Sequence, residues 1–313
     1  MFTDTTVQFL YLNICKDEIQ SDFESILQIK IPDTKSPEIH IQQRITKEAY
    51  IEKVNLMKDE IRLGNIYEAN FCMEFFGEEA ELEPLSTYWT LNAISEPPFS
   101  CYLKANQLYA MSASPERYLK RTGNHIVSQP IKGTAKRDPD EQKDEELKHC
   151  LQHDEKERAE NVMIVDLVRN DLSKTAIRGS VKVKELFGVY SFKQVHQMIS
   201  TITSVVTPET TAADILKTTF PMGSMTGAPK LSAMQVIERL EATKRGLYSG
   251  AIGYFTPEND FDFNVVIRTI LYNKATKYVS FSVGSAITFQ AKAETEYEEC
   301  LLKAKAMQSV LGC

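Results

Sequence analysis

The sequence lacks the features that would place the protein in several common classes. Its six cysteines form no CxxC pair and no zinc-type spacing, and no run of about 18 apolar residues is long enough to cross a membrane. Lysine and arginine (36) are outnumbered by aspartate and glutamate (43), so a general nucleic-acid surface is not expected. No basic region precedes an apolar run at the N-terminus, which argues against a secretory signal. We therefore predict a soluble, cytoplasmic protein with reduced thiols that binds neither nucleic acid nor a membrane.

What is present indicates an ordinary globular fold, with 42% apolar and 25% charged residues. Apolar residues at spacings of three and four predict helices over residues 46–64, 138–171, 211–220, 231–240 and 293–310. Runs of β-branched and aromatic residues predict strands over residues 66–76, 109–119, 125–131, 181–186, 189–196, 247–256, 261–272 and 278–288, the last three as a meander. Thr46 is a predicted N-cap, and Thr211 with Asp214 has the spacing of a capping box. No linker rich in glycine, serine or proline divides the chain, so we favour one large domain.

The segment around Lys132 combines a lysine with restricted backbone, because Pro130 fixes one dihedral angle and Gly133 permits conformations closed to other residues. Such a lysine could be a nucleophile, and the alternative is an exposed loop lysine. The two strands over residues 109–119 and 125–131 are predicted to pair as a hairpin, which would bring Glu116 near Lys132. The register decides which face each side chain occupies, and the sequence leaves it open.

Two helical segments carry acidic residues in pairs that share a face. Glu157 and Glu160 are three apart, as are Glu296 and Glu299, and the alternative to a site is a solvated charged face. Arg268 interrupts an apolar strand and needs an anion, which could be a structural partner or a substrate carboxylate. The glycine-rich residues 220–230 before a helix suit an anion or simply form a tight turn.

Several segments in order resemble the chorismate-utilising enzymes, which include aminodeoxychorismate, anthranilate, isochorismate and salicylate synthases. The matching segments are residues 114–117, 130–134, 158–171, 220–230, 253–254, 267–269 and 296–299 with Lys303. Each match is weak alone, but the ordered set is specific. The resemblance implies an α+β fold of two antiparallel sheets packed face to face with helices outside. Residues 1–45 would be a short N-terminal segment of the single large domain, and residues 46–313 the chorismate-binding catalytic part.

The resemblance also implies roles for individual residues. Glu160 and Glu299 match Mg²⁺ ligands with Glu157 and Glu296 in support, and the ion would reconcile an acidic pocket with a substrate that carries two carboxylates. Without metal, clustered glutamates should raise the pKa of at least one of them. The positions that match those holding the ring and its carboxylate-bearing groups are Gly133, Thr134, His196, Tyr254, Arg268, Gly284 and Lys303. For His196 the alternative is a core histidine.

Lys132 resembles the aminodeoxychorismate synthase branch, since anthranilate synthases usually have alanine at this position. The implied mechanism is covalent: the Lys132 amine attacks C2 of chorismate, Glu116 protonates the leaving C4 hydroxyl, and ammonia then adds at C4 and expels the lysine. Because the nucleophile must be neutral, we expect burial or a neighbouring cation to lower the Lys132 pKa. We also expect Lys132 and Glu116 to share a proton.

Two observations bear on partners and on alternatives. No cysteine has the flanking glycines of a glutaminase nucleophile, so the resemblance implies a separate glutamine amidotransferase subunit as the source of ammonia. Glu68 stands where the amidating branches usually have glutamine and the water-adding branches lysine, and Ser285 and Ala286 replace glycines whose absence could crowd the substrate. An anthranilate synthase component I, or a chorismate-binding subunit without catalysis, therefore stays an alternative.

Overall fold

The computed structural model describes residues 14, 16, 18–30, 39–193 and 195–312. The helices in this part of the chain are α1 (Ile19–Gln28), α2 (Lys47–Arg62), α3 (Pro84–Ser95), α4 (Glu141–His153), α5 (Glu155–Ser173), α6 (Ala212–Thr219), α7 (Lys230–Leu240) and α8 (Ala293–Leu311). Its strands are β1 (Gln42–Gln43), β2 (Glu68–Gly77), β3 (Phe99–Ala105), β4 (Leu108–Ser114), β5 (Arg117–Thr122), β6 (His125–Gln129), β7 (Ile131–Lys136), β8 (Lys182–Ser191), β9 (Val195–Val205), β10 (Gly227–Ala228), β11 (Gly253–Phe255), β12 (Phe261–Asn264), β13 (Thr269–Asn273) and β14 (Tyr278–Ile287). Among these helices none has the length and apolar character needed to span a membrane.

The strands form two antiparallel sheets. Sheet A has the order β1-β2-β14-β13-β4-β3, with β10 also paired to β2, and sheet B has the order β11-β12-β5-β6-β9-β7, with β8 also paired to β9. Helices α2, α3 and α8 pack against sheet A, whereas α4 and α5 pack against sheet B. The predicted α+β architecture, two antiparallel sheets with flanking helices in a single large domain, is confirmed.

Side-chain alternation along β2 divides the molecule into a core and a site. Ala69, Phe71, Met73 and Phe75 are buried in the core that sheet A shares with α2, α3 and α8. Because successive strand residues point to opposite faces, Glu68, Asn70 and Cys72 turn away from that core. Cys72 instead belongs to the second core, which α5 and sheet B build. Glu68 is thereby fixed on a rigid strand and faces the space between the sheets.

Two chain segments cross from one sheet to the other, and this corrects two predicted strands. Residues 109–119 are not one strand, since β4 ends in sheet A before Pro115 and β5 begins in sheet B. Residues 261–272 divide in the same way into β12 and β13, so the predicted meander is wrong. Backbone hydrogen bonds join the two segments that cross between the sheets. The Val265 amide donates to the Glu116 carbonyl (3.1 Å), and the Ala113 amide donates to the Arg268 carbonyl (3.0 Å). These long-range bonds hold Glu116 and Arg268 at the junction of the sheets.

Elements fixed by local chemistry agree best with prediction. The Ala49 amide donates to Thr46 Oγ1 at the start of α2, and Thr211 with Asp214 forms the predicted capping box of α6. The predicted helix over residues 138–171 is two helices, because Asp154 ends α4 and accepts from the Glu157 amide as the N-cap of α5. The predicted strand over residues 189–196 is also wrong, since residues 189–191 continue β8 and β9 begins at residue 195.

Candidate active site

An ion pair between the two sheets forms the centre of the site. Lys132 Nζ, on β7 of sheet B, donates to Glu68 Oε1 on β2 of sheet A at 2.8 Å, and it lies 4.0 Å from Glu160 Oε2. The Lys132 side chain is 10% exposed and that of Glu68 is 3% exposed. Lys132 is therefore not a solvated loop lysine. We call Glu68, Glu116 and Lys132 the strand-side group, because β2, β7 and the start of β5 position it.

A β-bulge gives Lys132 its direction. The pairing of β7 with β9 shifts register between Ile131 and Thr134, so Lys132 and Gly133 depart from regular alternation. Gly133 has a positive φ of 92°, and a Cβ there would lie 3.1 Å from Glu157 Oε2 and 3.2 Å from Leu151 Cδ1. Glycine therefore permits both the bulge and the close approach of helices α4 and α5 that carries Glu157 and Glu160 towards Lys132.

Glu116 is buried and holds its proton more tightly than an ordinary glutamate. Burial raises its pKa to about 7, while a hydrogen bond from Ser224, the charge of Lys132 and a backbone hydrogen bond from Ile131 act in the opposite direction. A cavity of about 20 Å³ beside it, which Ser128 and Ser224 also line, is large enough for one water. Glu116 can therefore act as a proton donor near neutral pH. Ser224, in the turn before β10, was not singled out from the sequence.

The expected shared proton between Lys132 and Glu116 is not what the structure shows. Lys132 donates its hydrogen bond to Glu68, and Glu116 is held by Ser224 and the Ile131 backbone. Burial lowers the Lys132 pKa, but the charges of Glu68 and Glu160 and the hydrogen bond to Glu68 raise it above its ordinary value. The expected lowering is therefore wrong for this state, because Lys132 pairs with a carboxylate 64 residues away on β2, a contact that the local sequence around Lys132 does not reveal.

The predicted carboxylates come together from two helices, Glu157 and Glu160 on α5 and Glu296 and Glu299 on α8. We call these four residues the helix-side group. The charge of Lys156 interacts with all four, and its Nζ lies 3.8 Å from Glu160 Oε1. Burial, together with Glu68 and Glu157, raises the Glu160 pKa to about 7 although Lys132 opposes it, so the expected rise is present. Burial also raises the pKa of Glu157 and Glu296.

Oxygen donors of this kind suit Mg²⁺ in chemical type. Within the described part of the chain, however, no three side chains of histidine, cysteine, aspartate or glutamate are close enough together to hold an ion. Glu299 pairs with Lys303 at 2.6 Å, and the charge of Lys303 lowers the Glu299 pKa although burial acts to raise it. Lys156 and Lys303 thus neutralise carboxylates of this group, and these carboxylates would have to turn away from the lysines to bind a metal.

Three of the predicted substrate positions join in one chain of contacts. Arg268 Nη1 donates to the Lys303 carbonyl at 3.1 Å, and Lys303 Nζ donates to the Gly284 carbonyl at 2.8 Å. Arg268 has a positive φ of 52° at the crossover and is not in mid-strand, which corrects its predicted setting. Among the described residues no carboxylate lies within ion-pair distance of its guanidinium, which leaves it able to bind an anion.

The remaining predicted positions, Thr134, Tyr254 and His196, lie outside this chain of contacts. Thr134 is exposed on β7, and Tyr254 is 53% exposed on β11 at the edge of sheet B. His196 is 1% exposed, with Nδ1 2.9 Å from Ser191 Oγ and Nε2 2.9 Å from Asp144 Oδ1, which corresponds to the core alternative. Within the described residues no hydrogen bond or ion pair connects these three to Lys132 or Lys303.

The glycine replacements on β14 have a structural explanation for one of the two residues. Ser285 is buried on the helix side of the strand, where its Oγ lies 3.1 Å from the Tyr50 hydroxyl and hydrogen-bonds Glu296. It therefore supports the helix-side group and does not crowd a substrate. Gly284 faces the other way, and a Cβ there would lie 2.6 Å from both Asn70 Oδ1 and Cys72 Sγ.

Comparison with known proteins agrees with this arrangement. A family model described as chorismate binding enzyme matches residues 12–309. The chain is 38% identical over 258 residues to aminodeoxychorismate synthase component 1 of Escherichia coli, covering 82% of this chain and 56% of that protein. It is 36% identical over 266 residues to anthranilate synthase component 1 of Thermus thermophilus, covering 85% and 57%. The crystal structure of anthranilate synthase component I from Streptococcus pneumoniae superposes with a TM-score of 0.84 at 29% identity, covering 95% of this chain and 66% of that one. The chain thus spans little more than half the length of these two curated relatives.

Proposed function

This chain belongs to the family of chorismate binding enzymes, and we propose that it converts chorismate and ammonia into 4-amino-4-deoxychorismate. The observation that carries the proposal is the buried amine of Lys132 beside Glu116, whose pKa is raised to about 7. A nucleophile and a proton donor at one junction suit the replacement of a hydroxyl by an amine. The similarity to aminodeoxychorismate synthases supports the same activity.

Lys132 acts as nucleophile in the proposed route. Its amine bonds to C2 while the two ring double bonds shift and the C4–O bond breaks, and the hydroxyl takes the proton of Glu116 and leaves as water. Ammonia then bonds to C4, the double bonds shift back and the C2–Nζ bond breaks. Lys132 attacks and leaves C2 as the neutral amine, and the new C4 ammonium gives one proton back to Glu116, so protons balance over the cycle.

The other predicted residues bind and orient chorismate. Arg268 and Lys303, with the backbone at Gly284, face the carboxylate-bearing groups, and Gly133 and Thr134 line the approach to Lys132. Glu160 and Glu299 would hold Mg²⁺ with support from Glu157 and Glu296. When bound, the ion would supply the positive charge that brings substrate carboxylates into an acidic site. Tyr254 and His196 keep only the roles that the sequence resemblance implies.

A separate glutamine amidotransferase subunit would supply ammonia in the cell. The name "component 1" of the Escherichia coli relative supports such a division of labour. The product would then serve the synthesis of 4-aminobenzoate and folate after a lyase acts. A cytoplasmic location stays a prediction.

The second candidate is an anthranilate synthase component I, which the similarity to the Thermus and Streptococcus proteins favours. Incubation with chorismate, Mg²⁺ and ammonium distinguishes the two, because anthranilate fluoresces strongly without further treatment whereas aminodeoxychorismate yields 4-aminobenzoate only after a lyase is added. We expect the second result. Anthranilate as the main product would contradict the proposal, and chorismate binding without turnover would favour a non-catalytic subunit.

A further inference from the structure

Two side chains complete one edge of β2. Within the described residues, β10 pairs with only the first two residues of β2, and the next residues have no strand on that edge. A buried backbone group without a partner is costly. Here Arg245 Nη2 donates to the Asn70 carbonyl at 2.8 Å, and the Cys72 amide donates to Glu241 Oε1 at 2.9 Å. Arg245 and Glu241 thus continue the edge where β10 ends.

Arg245 and Glu241 also bind each other as a buried ion pair. Their side chains are 16% and 6% exposed. Arg245 Nη2 donates to Glu241 Oε1 at 2.6 Å, and Nε donates to Oε2 at 2.9 Å. This two-bond contact requires the planar guanidinium group of arginine. Since a buried ion pair adds little net stability, the geometry that it imposes is the more informative property.

The remaining nitrogen of Arg245 holds the turn that carries Ser224. Its Nη1 donates to the Met225 carbonyl at 2.5 Å. Asn70, whose carbonyl Arg245 binds, donates from its backbone amide to the Thr226 carbonyl at 2.7 Å. The two residues that directly follow Ser224 are therefore fixed to Arg245 and to β2.

Ser224 connects this turn to Glu116. Its hydroxyl donates to the Glu116 carboxylate and favours the charged form. Because Ser224 directly precedes Met225, the direction of its hydroxyl depends on where the Met225 carbonyl is held. We propose that the Arg245–Glu241 pair positions the proton donor Glu116 by fixing Ser224. The proposal rests on the function proposed above, and both members of the pair are positioning residues that act through Ser224.

The charged groups near Glu116 stay unchanged when Arg245 is substituted. Lys132 on β7 lowers the Glu116 pKa, while Arg117 on β5 and Asp171 on α5 line the small cavity beside it. A change in the titration of Glu116 in an Arg245 variant would therefore report the loss of the hydrogen bond from Ser224.

The test measures the alkaline limb of kcat/KM in Arg245→Lys, in Ser224→Ala and in the double variant. Lysine keeps a positive charge beside Glu241, but one ammonium group cannot reproduce the fork that joins the turn, β2 and Glu241. Losing the hydrogen bond from Ser224 raises the Glu116 pKa, so the limb should move to higher pH by less than about one unit. The double variant should shift no further than Ser224→Ala, because both changes remove the same hydrogen bond.

Arg121→Lys is the matched control. Arg121 is also a buried arginine that donates to two backbone carbonyls, but these belong to Gly123 and Thr210 in other loops. Its limb should stay at the wild-type pH even if thermal stability falls. Should Arg245→Lys not fold, Glu241→Gln is the second variant. It keeps the shape of the side chain, should displace Arg245 and should move the limb in the same direction.

Three results would overturn the inference: a folded Arg245→Lys protein with the wild-type limb, a double variant in which the two shifts add, or an equal shift in Arg121→Lys. Infrared titration of the Glu116 carboxyl, assigned by its absence in Glu116→Gln, follows the same shift without turnover. If the wild type forms no aminodeoxychorismate, the proposed function fails, while the infrared titration still decides whether Arg245 controls the Glu116 pKa.

Discussion

The strand-side and helix-side groups are built in different ways. Lys132, Glu68 and Glu116 sit on or beside strands, are nearly inaccessible to solvent and already have defined partners. The four glutamates of the helix-side group come from α5 and α8, and Lys156 and Lys303 neutralise them. Catalytic groups need fixed geometry, whereas carboxylates for a cation need room to rearrange around it. We infer that the strand-side group is already arranged for catalysis. The helix-side group would reach its final arrangement only when a cation or a charged substrate binds.

The largest expected effect comes from the amine of the strand-side group. Lys132→Ala should lower kcat for ammonia-dependent formation of aminodeoxychorismate by at least about a thousandfold, since loss of a nucleophile commonly costs that much or more. Lys156→Ala is the matched control, because it removes a lysine that faces the same carboxylates from the helix side. Lyase-coupled assays measure both. An active Lys132→Ala variant would show that the covalent route is wrong.

Glu116 should control the pH dependence of the strand-side group. Its raised pKa of about 7 means that the protonated, donating form is lost as pH rises through neutrality, so kcat/KM should fall on the alkaline side with an apparent pKa near 7. Glu116→Gln should lower the rate by about 10²–10⁴-fold and remove that limb. A pH–rate profile of both proteins checks this, and an unchanged limb in the variant would assign the titration to another group.

The helix-side group should respond to metal rather than to pH alone. Glu299→Gln removes a predicted Mg²⁺ ligand, and the Mg²⁺ concentration needed for half-maximal activity should rise at least about 10–100-fold, since the loss of a residue that only supports a ligand already costs that much. Glu294→Gln, an exposed residue at the start of the same helix, is the control. Calorimetric titration with Mg²⁺ alone provides a readout independent of turnover. Equal metal affinity in the two variants would exclude Glu299 as a ligand.

How well the sequence predicted each part of the molecule depends on how local its determinants are. The Thr46 cap and the Thr211 capping box depend on residues three apart, and both are confirmed. The strand breaks near Pro115 and Arg268 are set by hydrogen bonds between segments about 150 residues apart along the chain, which no local pattern reveals.

The same distinction explains the site. The ordered motifs predicted Lys132, Glu116 and the glutamate pairs, and helical spacing correctly placed each pair of glutamates on one face. The direction of Lys132 depends on a bulge in β7, and its partner Glu68 lies on the other sheet. Register and sheet packing decide both, so the sequence could identify Glu68 as unusual without showing what it contacts.

The smallest expected effect concerns the Glu116 pKa, which the hydrogen bond from Ser224 lowers slightly. The hydrogen bond from Ser224 favours the charged carboxylate and so lowers the Glu116 pKa against the effect of burial. Ser224→Ala should therefore raise that pKa, and the alkaline limb of kcat/KM should move to higher pH. The shift should be less than about one unit, because a hydrogen bond contributes about 0.5–1.5 kcal/mol and one unit corresponds to about 1.4 kcal/mol.

Ser128→Ala is the matched control for Ser224→Ala. Ser128 lines the same small cavity beside Glu116, but its hydroxyl donates to the Tyr118 carbonyl at 2.8 Å. If Glu116 is the group that titrates, only Ser224→Ala should move the limb. Equal shifts in both variants would mean that the cavity as a whole sets the pKa, and a shift to lower pH in Ser224→Ala would contradict the direction of the hydrogen bond. Because the strand-side group is already preorganised, the pKa of Glu116 should thus change by only a fraction of a unit when the hydrogen bond from Ser224 is removed.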